Sequence, residues 1–135
     1  MSPYPWINPA FECVRSEHRA CDLTGWRHES SWLRFSDWLG RDCIVYAERM
    51  FPEQKNGSVP GILHAVGGAQ KVESADLRFW ADQGYACASF DWQIGEVGGR
   101  DPGRTSTWPE GVVAQHAPNE ALENCVLPLA IQAAQ

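Results

Sequence analysis

The sequence predicts an α/β fold built on a mixed sheet, and three observations carry that prediction. Residues 32–39 alternate, with Leu33, Phe35 and Leu39 on one face and Arg34 and Ser36 on the other, and a β-forming run at 43–51 follows across Gly40-Arg41-Asp42. Such a pattern describes an antiparallel hairpin. Two short apolar runs, 61–66 (GILHAV) and 85–90 (YACASF), read as buried strands. Between them lies a segment of helical spacing, long enough to return the chain for a second strand parallel to the first.

The elements follow in order. Residues 1–30 read as an irregular segment broken by Pro3, Pro5 and Pro9, with a charged stretch at 15–19 that could begin a short helix. After the hairpin, 52–60 is a polar connection containing Asn56-Gly57. Ser74 is placed to cap a helix beginning near Ala75, with Asp76 at its positive end and Gly84 after its last turn. Val72, Ala75 and Phe79 share one side of it, and Leu77, Trp80 and Ala81 the next. Residues 91–118 hold no periodicity and read as one long loop, which is uncommon in a compact domain without a function. Asn119 then caps an expected helix over 119–135, apolar at Ala121, Val126, Leu127, Leu129, Ala130 and Ile131 and interrupted at Pro128.

Composition narrows the function. The 135 residues suffice for a single domain, 1–135, with 44% hydrophobic and 21% charged residues. Seven Trp require a substantial interior or a partner to hide them. A net charge of −6 without any basic run argues against a nucleic-acid partner. Cys13, Cys21, Cys43, Cys87 and Cys125 are odd in number and form no C-x-x-C pair, so they read as reduced thiols of a cytoplasmic protein. Residues 1–10 have no basic region before an apolar run, so neither a signal peptide nor a membrane span is expected.

The stretch 61–92 resembles the start of α/β-hydrolases of the acetylxylan-esterase and dienelactone-hydrolase type. The residues that carry the resemblance are Leu63-His64, Gly67-Gly68-Ala69-Gln70, Phe79-Trp80-Ala81, Gly84-Tyr85-Ala86 and Phe90-Asp91-Trp92, in that order and spacing. Ile44-Val45-Tyr46-Ala47 and the Met50-Phe51-Pro52 exit fit the first strands of the same fold. The resemblance covers 30–92, and 119–135 loosely. It implies a partial α/β-hydrolase fold: an N-terminal antiparallel hairpin followed by parallel strand–helix–strand units. It also implies a parent activity, hydrolysis of a small-molecule carboxylic ester, with an acetylated sugar as the substrate suggested. Neither a cofactor nor a metal is implied.

Acyl transfer builds negative charge on a carbonyl oxygen, and backbone N–H groups aimed at it lower the barrier by several kcal/mol. Gly67, Gly68, Ala69 and Gln70, between a strand and a helix, are therefore the oxyanion-hole candidates, with Val66 and Ala69 standing where the family has a second His and a third Gly. His64 is the candidate for orienting that loop. Asp91, Trp92 and Trp108 are candidates for lining a substrate cleft, and Asp91 also reads as a loop anchor.

The nucleophile of this family sits in G-x-S-x-G. None of Ser2, Ser16, Ser30, Ser31, Ser36, Ser58, Ser74, Ser89 and Ser106 is flanked in that way, and no Cys replaces it. The catalytic triad is therefore absent, and the expectation is an N-terminal portion truncated before its nucleophile and inactive alone. An open half-sheet of this kind invites pairing between copies through its exposed edge. The alternative is a non-catalytic, hydrolase-like binding or interaction module whose Trp-rich loop faces carbohydrate. His28-Glu29-Ser30-Ser31-Trp32 begins like the zinc motif H-E-x-x-H, but Trp32 replaces the second His, and no phosphate-binding glycine motif occurs.

Overall fold

The computed structural model describes residues 10–37, 39–54, 59–66, 71–91 and 103–110. Within them the chain runs β1 (Glu12–Arg19), β2 (Trp26–Ser36), β3 (Asp42–Pro52), β4 (Gly61–Ala65), α1 (Ser74–Asp82) and β5 (Ala86–Phe90). The described strands form one mixed sheet in the order β1-β2-β3-β5-β4. β1, β2, β3 and β5 pair antiparallel in succession, and β4 lies parallel to β5. The mixed sheet and its antiparallel hairpin are as the sequence predicts. One parallel strand–helix–strand unit, β4–α1–β5, lies among the described residues.

The hairpin is longer than its pattern indicated. β2 begins at Trp26 rather than 32, and it pairs in unbroken register with β3 from Trp26↔Pro52 to Ser36↔Asp42. Its turn is organised by Asp37, whose Oδ1 accepts the backbone N–H groups of Leu39 (2.9 Å) and Arg41 (2.8 Å). Oδ2 accepts the Arg41 Nε–H at 2.7 Å. Gly40 takes the left-handed conformation (φ 76°) that this tight reversal needs.

The expectation of irregular chain through residue 30, with a helical start at 15–19, is corrected by β1. Local charge spacing suited a helix, but the partner strand decides. Arg15 lies opposite Trp32 and its guanidinium stacks 4.3 Å from the ring centroid. Glu12 faces Arg34 and His18 faces Glu29 across the same ladder. Cross-strand pairs of this sort are what hold a polar edge strand to its neighbour.

The reading of 61–66 as a buried strand is also corrected. β4 pairs only with β5 among the described strands, and Leu63 is 51% exposed. An apolar run cannot tell an interior strand from an edge strand, because the position in the sheet is set by the partners. α1 begins at Ser74 as expected, yet Ser74 does not cap it. The cap position is Glu73, without a side-chain bond. At the other end Gly84 (φ 83°) closes a Schellman turn, with Gly84 N–H on Ala81 O and Tyr85 N–H on Trp80 O.

Strand alternation divides the core between the two faces. On the face that α1 covers, Met50 and Cys87 pack with Leu77 and Ala81, joined by Trp26, Ile62 and Trp80. On the other face Phe35, Cys43, Val45 and Phe90 cluster, flanked by Leu33, Ala47 and Trp108. No described helix is long and apolar enough to cross a membrane. Leu77 is fully buried and fastens α1 to the sheet. Leu77→Ala is expected to lower the unfolding free energy by about 2–5 kcal/mol in a urea titration, with the midpoint displaced and the slope unchanged.

Candidate functional site

Polar residues occupy inward positions of the two central strands. Tyr46, Glu48 and Met50 alternate onto the α1 face of β3, opposite Trp32, Ser30 and His28 of β2. His28, Ser30, Tyr46 and Glu48 are all at least 96% buried. Such groups are tolerated only when their hydrogen bonds are made, and here they are made to one another. His28 Nε2–H donates to Glu48 Oε2 at 2.6 Å, and Ser74 Oγ–H donates to the same oxygen at 3.2 Å. Tyr46 O–H donates to Glu48 Oε1. Ser30 Oγ, 3.1 Å from the Tyr46 oxygen, supplies the proton that this oxygen accepts.

Burial pushes the Glu48 carboxyl up, but the bonds from His28, Tyr46 and Ser74 outweigh it and hold the group below the usual carboxylate range. Glu48 is thus a carboxylate in the interior. Tyr46 is driven the other way, by burial and by the neighbouring Glu48, and keeps its proton. Ser74 explains its failure as a helix cap: its hydroxyl is spent on Glu48, which ties the start of α1 to the middle of the sheet.

Above this network lies a cavity of about 90 Å³ lined by Tyr46, Glu48, Lys71, Val72, Glu73, Ser74 and Arg104. Its lining comes from β3, from the segment entering α1 and from the loop after β5. It therefore sits beside the carboxyl ends of β4 and β5, where open α/β sheets tend to place their ligands. The described part of the long loop is fastened across this end. Thr107 and Ile44 exchange backbone hydrogen bonds of 2.9 and 2.7 Å. Ser106 Oγ accepts the Tyr46 N–H at 2.9 Å and donates to Asp91 O.

The oxyanion-hole candidates Gly67, Gly68, Ala69 and Gln70 lie outside the described residues, as do Trp92, Cys125 and the expected helix over 119–135. The residues on both sides of 67–70 are described: Val66 is buried, and Lys71 lines the cavity. His64 stands on β4 with both ring nitrogens turned to α1. Trp80 Nε1–H donates to Nδ1 at 3.4 Å, and Nε2 lies 3.5 Å from Asp76 Oδ2. Asp91 is 99% buried, and its Oδ2 accepts the Ser106 N–H at 2.8 Å. Trp108 packs on the Phe35–Val45–Phe90 cluster, on the face away from α1, so the structure does not bring it to the cavity.

The buried thiols are poor nucleophiles. Burial and the nearby Asp37 push Cys43 up to about 12, and burial pushes Cys87 up to about 11. The four described cysteines are free. Sequence reasoning missed His28, Ser30, Tyr46 and Glu48 as a unit. The signal was present as polar residues at every second position of two adjacent strands, but their register was not.

The sign of the Glu48 shift sets a pH dependence. A carboxyl held low in the folded state contributes stability above its unfolded value, about 4.3, and loses it as pH falls through the lower folded value. Urea stability measured from pH 7 to pH 2 is expected to fall in that acid range, with a shallower fall in Glu48→Gln. Ser106→Ala leaves the Tyr46 N–H without its acceptor and should cost about 1–3 kcal/mol, seen as faster proteolysis within 103–110.

No family model matches the sequence, and no curated protein matches it. In three dimensions the chain is similar to the crystal structure of acetyl xylan esterase 1 from Thermoanaerobacterium sp. JW/SL YS485, with a TM-score of 0.57 and 15% sequence identity. The match covers 97% of this chain and 40% of that one, so the chain spans less than half the length of its structural neighbour. At that identity the likeness is one of fold, and an esterase-like α/β fold is what the two share.

Proposed function

We propose that these 135 residues form part of a carboxylic ester hydrolase, acting on an acetylated carbohydrate, and that they supply the sheet and the oxyanion loop but not the nucleophile. The observation that carries this reading is the likeness of fold to an acetyl xylan esterase over 97% of the chain. The motifs at 61–92 support it independently, because their order places Gly67-Gly68-Ala69-Gln70 between β4 and α1, beside the cavity. Backbone N–H groups from that loop would stabilise the oxyanion of the tetrahedral intermediate, and His64, tied to Trp80 and Asp76, would steady the strand that leads into it.

No G-x-S-x-G occurs in the sequence, and Cys43 and Cys87 are buried with raised pKa values. In this reading the chain alone does not form an acyl-enzyme. The test is intact mass after treatment with a fluorophosphonate, alongside turnover of p-nitrophenyl acetate. We expect no adduct and no turnover above buffer. A stoichiometric adduct places an activated serine within these residues and overturns the reading. A folded monomer that binds xylo-oligosaccharide without hydrolysing esters favours the binding module instead.

A further inference from the structure

The cavity above Glu48 is balanced in charge. Glu48 and Glu73 bring two carboxylates to its wall, and Lys71 and Arg104 bring two cations. Lys71 Nζ and Glu73 Oε1 lie 3.6 Å apart, so that pair largely offsets itself. A small cation placed here meets Lys71 and Arg104, and a small anion meets Glu48 and Glu73. The occupant that suits all four is neutral and polar.

Hydrogen-bond capacity narrows the chemistry. Glu48 Oε2 already accepts from His28 and Ser74, whereas Oε1 accepts from Tyr46 alone. An oxygen of a carboxylate takes two such bonds, so Oε1 keeps room for one more donor. The cationic side of the cavity offers donors only. A hydroxyl group is matched to such a pair of walls, because it donates one hydrogen bond and accepts others at the same atom. The volume, about 90 Å³, equals roughly three water molecules at about 30 Å³ each, which is room for two or three carbons bearing hydroxyls.

We propose that this cavity is a binding site for a small vicinal diol, one hydroxyl donating to Glu48 Oε1 and its neighbour accepting from the Lys71 and Arg104 side. The site is separate from ester chemistry: it uses no nucleophile, and the fluorophosphonate result leaves it standing. The side chains of Glu48 and Tyr46 are anchored by the network beneath, so the acceptor wall is organised before any ligand arrives.

The test is titration of the ¹⁵N-labelled chain with ethylene glycol and glycerol, followed by amide chemical shifts. Saturable shifts are expected at Tyr46, Glu48, Ser74 and Arg104. tert-Butanol, acetate and ethylammonium, of similar size, are expected to bind more weakly. Glu48→Gln should weaken the diol by about tenfold or more, the usual effect of losing a charge-assisted bond. Because Glu48 also holds the core, Arg104→Gln is the second variant, expected to weaken binding with the strand resonances unmoved. Shifts that do not saturate overturn the proposal, as does tighter binding of acetate or ethylammonium. Equal binding of tert-butanol, or unchanged affinity in both variants, has the same consequence.

Discussion

Glu48 sits in the middle strand of the sheet with almost no contact with water, and it is ionised. A lone carboxylate in that position would cost several kcal/mol. It is kept there by donors from three elements: His28 on β2, Tyr46 on β3 itself and Ser74 at the start of α1. The requirement to satisfy one buried charge thereby joins the hairpin to the helix. It also fixes the rotamers of Tyr46 and Ser74, and with them the wall of the cavity.

A second set of constraints works from the other side of the same strand. Asp91, just past β5, and Ser106, fifteen residues later, lock onto Tyr46 through its backbone N–H and C=O. Tyr46 is thus held by its side chain to Glu48 and by its main chain to the loop. The loop carries Arg104 to the cavity and Trp108 to the opposite face. One residue couples the buried network to the chain that frames the site, which is why the cavity lies where four separate segments meet.

Beyond this core the architecture is that of an esterase-like sheet, with β4 at one edge and β1 at the other. The two edges differ in chemistry. β1 is polar and dressed with Arg15, Glu17 and His18, the kind of residues that discourage further pairing. β4 carries no Asp, Glu, Lys or Arg and exposes Leu63. Pairing between copies through β4, which the sequence led us to expect, remains a proposal on those grounds.

Much of this was legible in the chain. Period-two alternation marked the hairpin, two apolar runs around a helical spacing marked the parallel unit, and Gly84 marked where α1 stops. The absence of G-x-S-x-G is a property of the sequence and needs no structure. These features depend on neighbours a few residues apart, which is why they can be read locally. Tertiary structure alone decided that residues 12–19 form a strand, since their regularity comes from β2 rather than from themselves. It decided that β4 lies at an edge, and that Ser74 turns from the helix end to a buried carboxylate twenty-six residues earlier in the chain. The Glu48 network was invisible for the same reason: His28, Tyr46, Glu48 and Ser74 acquire a shared chemistry only when strand register and helix packing bring them within hydrogen-bond reach.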